Sequence, residues 1–138
     1  MGIEVTWDNL ERTILRLDFD SGWSISTFEE ALRYAWDLIN KSNHKVDVVM
    51  NLTEQCNLAD GTVMRFQGML ASAPAGLGFV VIACRAHSIE NAFGLLNHIN
   101  PLIGGRLVFV PSVEGARSAL AHPYTLNTVV SPARVSNS

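Results

Sequence analysis

Apolar and polar positions alternate near the start of the chain and then change period. Ile3, Val5 and Trp7 share one side of the first run, and Ile14 against Thr13 and Leu15 against Arg16 repeat the alternation over residues 13–19. Asp8-Asn9-Leu10-Glu11-Arg12 between them is turn-like. Two period-2 runs about a turn predict an N-terminal β-hairpin. Asp20-Ser21-Gly22 breaks the second strand. The period then becomes helical. Phe28, Leu32, Ala35, Trp36 and Ile39 fall on one side, and Glu29, Glu30, Arg33, Asp37 and Lys41 mostly on the other. Ser26 with Glu29, or Thr27 with Glu30, has the spacing of a capping box. The two early glutamates suit the positive end of the helix dipole. This helix is expected to end near Ser42-Asn43.

Beyond it, short apolar runs alternate with helical ones. VDVVMNL, residues 46–52, reads as a strand covered on both faces. The stretch NLADGTV, residues 57–63, leads into a helical run with Val63, Phe66, Gln67 and Leu70, which ends before Pro74. LGFVVIA (77–83) is a second buried strand, and residues 88–99 form a helix with Ile89, Ala92, Phe93, Leu96 and Ile99 on one side. Pro101 and Gly104-Gly105 stop that helix. RLVFV (106–110) is a third buried strand, and Ser112 caps a last helix that runs to about Ala121. The order β-β-α-β-α-β-α-β-α predicts an α/β fold: a single mixed sheet, hairpin plus parallel strands, with about four helices. Residues 1–122 are expected to form one domain. PYTLNTVVSPARVSNS (123–138) is expected to be a flexible tail, or a segment ordered only on a partner.

Composition narrows the function classes. The chain has 138 residues, 48% hydrophobic and 17% charged, which suits one soluble domain with a sizeable core. Its net charge is −3 and no run of Lys and Arg exceeds two residues, so nucleic-acid binding is not expected. Cys56 and Cys84 form no Cys-x-x-Cys pair, and a reducing cytoplasm is their expected setting. The N-terminus lacks the apolar core of a signal peptide. No run approaches the roughly 20 apolar residues of a membrane span, so no membrane insertion is expected. His44, His87, His98 and His122 are scattered singly, and no metal or cofactor is expected. Gly76-Leu77-Gly78 precedes its strand, unlike a dinucleotide-binding glycine motif.

The element order, with these lengths, resembles the STAS domain, the SpoIIAA-like fold of bacterial anti-sigma-factor antagonists. The hairpin feeding a helix, the segment VDVVMNLTEQCNLADGTVMRF, and LGFVVIACRAHSIENAFGLLN followed by RLVFVPSVEGARSALA carry the likeness over about residues 3–121. In that family an Asp-Ser-Ser-Gly stretch opens the helix after the loop and carries a phosphoacceptor. Here the matching positions are Ala59-Asp60-Gly61-Thr62, with neither serine. The resemblance therefore implies a regulatory fold and a divergent member without the phosphoacceptor motif. A second relative of the fold, the Sec14-like lipid-transfer domains, implies a small-molecule or lipid carrier as the alternative.

Three readings of the site follow. In the first, a non-enzymatic interaction module binds a protein partner or itself, with Thr53, Glu54, Asp60, Gly61, Thr62 and Phe66 as the docking surface. Asp60 then either only caps the helix or also presents a charge to the partner. Thr62 is the one nearby hydroxyl for phosphorylation. In the second, a pocket between the sheet and the apolar helices holds a ligand. The third uses the carboxyl ends of the strands, which offer Asp18, Asp20, Thr53, Glu54, Cys84, Arg85, His87 and Ser112, with Cys84 and His87 as nucleophile and base. No catalytic residue is assigned. Trp23, in a loop, and Leu95, off its helix's main stripe, hint at an exposed apolar surface and a homodimer.

Overall fold

The computed structural model describes residues 2–53, 61–85 and 107–122. Strands β1 (Ile3–Trp7) and β2 (Ile14–Phe19) form the expected hairpin, with Ile3 opposite Phe19 and Trp7 opposite Leu15. Asn9 closes the turn. Its Oδ1 accepts the N–H groups of Thr13 (3.0 Å) and Ile14 (3.2 Å), and its Nδ2 donates to Thr13 Oγ1 (2.7 Å). Side-chain bonds of this kind are why asparagine favours turns.

Helix α1 (Ile25–Lys41) starts earlier than the spacing of its glutamates suggests. The cap is Ser24, and neither Ser26 nor Thr27 takes that position. Ser24 Oγ accepts the Thr27 N–H at 3.3 Å, and Thr27 Oγ1 reaches back to the Ser24 N–H at 2.7 Å. Threonine thus plays the part of the glutamate in the usual box. Glu29 and Glu30 lie beyond the first turn, where the dipole's effect fades. Trp23, expected on the surface, is half-buried. Its ring meets Phe19 edge-on at 5.2 Å and Phe28 at 6.2 Å. The short Asp20–Trp23 turn folds back onto the sheet, so the indole has apolar neighbours to cover it.

The chain continues through β3 (Val46–Asn51), α2 (Thr62–Ala71), β4 (Leu77–Ala83), β5 (Leu107–Val110) and α3 (Val113–Leu120). The strands lie in chain order, with β1 antiparallel to β2 and β2 to β5 mutually parallel. The α/β class and the mixed sheet match the expectation. Among the described residues there are three helices; the helix expected over 88–99 and the expected tail at 123–138 lie outside them. Ser112 caps α3 as expected, its Oγ accepting the Gly115 N–H at 3.0 Å.

The sheet has unlike faces. On the first, Leu15, Leu17, Val48, Met50, Val80 and Ile82 pack beneath Phe28, Leu32, Ile39, Phe66 and Leu70 of α1 and α2. Burying a side chain of this size contributes about 1.5–3 kcal/mol, so among the described residues this layer contributes more than the second face. The second face is apolar mainly toward β3–β5, where Val49, Val81 and Val108 lie under Ala116 of α3, with Ile14 at the start of β2 beside them. Toward the hairpin it carries Glu4, Thr6, Asp8, Arg16 and Asp18.

A bulge between β3 and β4 interrupts the ladder, because Val46 pairs Leu77 but Val48 pairs Val80. Asp47 fills the gap: its Oδ1 accepts the Phe79 N–H at 2.7 Å. Burial pushes its carboxyl above the usual range, against the opposing pull of that N–H and of Lys45. The carboxylate lies where a Cβ on Gly78 would stand. Gly78→Ala is therefore expected to lose about 1–3 kcal/mol in urea unfolding. Asp47→Asn keeps an oxygen for the Phe79 N–H and drops the buried charge, so it should keep or raise stability at neutral pH.

Candidate functional site

The residues expected to dock a partner separate into three environments. Gly61 and Thr62 open α2, with Gly61 in the cap position at φ 85° and no side-chain cap bond. Asp60, expected as the cap, precedes that position and, like Glu54, lies outside the described residues. Nothing stands within 4 Å of a Cβ built on Gly61. The glycine thus serves the left-handed backbone and not a close approach. Its carbonyl accepts the Arg65 N–H at 3.0 Å, which starts the helix. Thr62 is 2% exposed and Phe66 fully buried. Phe66 was expected on the docking surface; instead its ring packs against Phe28 at 6.0 Å. It falls on the apolar stripe of α2, so it supports the surface from beneath.

The exposed face of the same helix carries what Phe66 does not. Met64 is 70% exposed. It borders an open groove of about 560 Å³ between α1 and α2, with Glu29, Arg33, Arg65 and Gly68 along it. Glu29 pairs with Arg65 and, at 3.7 Å, with Arg33. The two helices are held in place by the Phe28–Phe66 contact and by Trp36 Nε1, which donates to Met69 O at 3.2 Å. Met64 is thus an exposed apolar side chain rimmed by charges of both signs.

Thr53 belongs to a third environment, on the second face of the sheet. Its Oγ1 donates to Asn51 Oδ1 at 2.6 Å, and Asn51 Nδ2 donates to Asp18 Oδ1 at 2.7 Å. Asp18 takes the Arg16 Nε at 3.0 Å, Arg16 Nη1 reaches Asp8 at 2.6 Å, and Asp8 receives Arg117 Nε and Nη2, both at 2.8 Å. One chain of bonds thus runs from α3 across the hairpin to the end of β3. The Asp8 side chain is only 2% exposed. The Arg117 hydrogen bond, and after it the charges of Arg117 and Arg16, hold its carboxyl below the usual range, against the cost of burial. The alternation Leu15, Arg16, Leu17, Asp18 signalled a polar face on β2. The reach of Arg117 over 109 positions had no local signal.

This bonding bears on the other two readings. Asp18 is engaged as above, and Asp20 accepts the N–H groups of Gly2 (3.1 Å) and Gly22 (2.7 Å). The two carboxylates therefore hold the chain together. Cys84 is buried and His87 lies outside the described residues. The space a carrier needs between the sheet and helices α1 and α2 holds Phe28, Leu32, Met50, Phe66 and Ile82, each exposed by 1% or less. Among the described residues no helix is long and apolar enough to cross a membrane, and no three His, Cys, Asp or Glu side chains gather as metal ligands would.

Asp8 gives the site a pH dependence. Its folded pKa is lowered, so its contribution is complete above the ordinary carboxylate value of about 4 and is lost as pH falls through the folded value. Asp8→Ala leaves two guanidinium groups facing each other. With Arg117 46% exposed, the loss is discounted to about 1–3 kcal/mol. Urea unfolding from about pH 7 to pH 3 should show Asp8→Ala with a flatter acid limb than the parent. Comparison with protein-family models, with curated proteins and with solved structures finds no match to this chain.

Proposed function

We propose that the chain is a non-enzymatic, STAS-like interaction module that binds a protein partner. The docking surface is centred on Gly61 and the exposed side of α2, and Thr53, Glu54 and Asp60 are proposed as further partner contacts, the last two lying outside the described residues. The observation that carries this reading is Met64, 70% exposed beside the groove that α1 and α2 form. An exposed methionine adapts its shape to a partner surface at little cost. Arg65, Glu29 and Arg33 around it supply orientation and specificity more than affinity. Thr62 and Phe66 act from behind this surface. Asp60 keeps its proposed role as a fixed negative charge at the place where the family adds phosphate. The order of hairpin, helix, strand and helix supports the family likeness.

The test is pairwise. A photo-crosslinking residue at position 64, in cells of the native host, should join the chain to one protein, and that protein should then bind the purified chain. Met64→Asp with Arg65→Glu should weaken that binding about a hundredfold, which is hot-spot size, while the thermal midpoint moves little. Leu10→Asp, on the turn of the hairpin where Leu10 is 99% exposed, should leave binding unchanged. Phe66→Asp should unfold the chain instead. Equal binding by parent and double variant would show that the surface lies elsewhere.

A further inference from the structure

Strand β1 is an edge of the sheet, and among the described residues no strand lies on its outer side. Which of its backbone groups face outward follows from the pairing. Asp20 N–H donates to Gly2 O and Asp8 N–H donates to Ile14 O, each at 2.8 Å. Hydrogen-bonded positions alternate in an antiparallel ladder. Gly2, Glu4, Thr6 and Asp8 therefore bond inward to β2. Ile3, Val5 and Trp7 direct their N–H and C=O groups away from the sheet. Edge strands are normally blunted with lysine, proline or a bulge. The strand IEVTW has none of these, and its one charge is Glu4.

We propose that β1 pairs with β1 of a second copy of this chain, antiparallel, about a two-fold axis at Val5. Ile3 then faces Trp7 of the second copy, and every outward residue forms a hydrogen-bonded pair. The neighbouring registers are worse. A slip of two residues one way sets Glu4 against Glu4 of the second copy. The same slip the other way carries Ile3 past the strand, opposite the turn residue Asn9. With Val5 opposite Val5, Glu4 faces Thr6. Thr6 stands opposite Arg16 in its own hairpin, and Glu4 opposite Asp18. Each row across the joined sheet thus runs Arg16, Thr6, then Glu4 and Asp18 of the second copy, so the cationic half meets the acidic half. Like charges directly opposite are avoided, and such cross-strand pairs select register. The buried Thr6 Oγ1, which has no hydrogen-bond partner among the described residues, comes beside a carboxylate.

The apolar side of the edge fits the same arrangement. Ile3 and Val5 border a groove of about 410 Å³ with Ala31 and Tyr34 of α1, and Tyr34 is 53% exposed. Joining two edges sets two such grooves side by side and covers Tyr34. A contact of this size is small, so a dissociation constant on the order of 10–100 µM is expected. This pairing uses the flank of α1 away from α2, and it does not depend on the docking surface proposed above.

Sedimentation velocity of the full chain over about 5–500 µM, spanning that constant, should show monomer passing to dimer. Amide exchange at both ends of the range gives the residue-level test. The amides of Ile3, Val5 and Trp7 should slow at least about tenfold with concentration, while those of Glu4 and Thr6 stay equally protected. Val5→Pro removes one outward N–H and no bond to β2, and should abolish the dimer. Should that variant unfold, the amide measurement decides. A chain that stays monomeric overturns the proposal, and so does a dimer whose outward amides remain fast. Outward amides that are slow at every concentration would place another segment, such as 123–138, on the edge, and overturn it equally.

Discussion

The tilted contact of Phe28 with Phe66, over a sheet face that is almost wholly apolar, is the contact on which the other features depend. It joins α1 to α2 and both to the strands. Helix α2, at 10 residues, is too short to be stable alone in water and depends on this burial; α1 buries its apolar stripe in the same layer. With the first face sealed, α1 and α2 lie at a fixed distance, and the groove beside Met64 exists because their outer flanks cannot close over it.

The second face shows what happens where apolar area runs out. Over β3 to β5 it is aliphatic and α3 covers it. Over the hairpin it is charged, and a helix there would bury groups that demand partners. Among the described residues that demand is met by side chains, with no helix over them. Arg16 and Arg117 converge on Asp8, and Asp18, Asn51 and Thr53 continue the bonds to the end of β3. Each link is partly exposed, so the individual pairs contribute modestly. Their value is positional: α3 is tied to a turn more than 100 positions away, and Thr53 is fixed at the start of the segment that leads to Gly61.

Three kinds of surface therefore meet on α1. Its inner stripe is core, one flank forms the groove with α2, and the other borders β1, the edge strand among the described residues. A helix with a burial stripe about 100° wide leaves two such flanks free. That geometry lets one short chain offer separate surfaces to a partner and to its own copy.

The elements whose partners are local were legible in the residue pattern. Alternation in Ile3–Trp7 and Ile14–Phe19 gave the hairpin, helical spacing from Phe28 to Ile39 gave α1, and the aliphatic runs at Val46, Leu77 and Leu107 gave the parallel strands. Ser112 read correctly as a cap because its bond spans three residues. The cap of α1 was misplaced by two to three residues, since Thr27 can act as the glutamate does and only backbone geometry chooses between them. Tertiary structure alone decided the rest. It put Phe66 in the core and left Met64 outside, because a short helix with apolar residues on several sides shows its buried stripe only once a neighbour is in place. It covered Trp23 through a turn that folds back, and it joined Arg117 to Asp8 through the order of the strands. Periodicity reports which side of an element is apolar. What stands opposite that side is set by topology, and the candidate site is made of such long-range meetings.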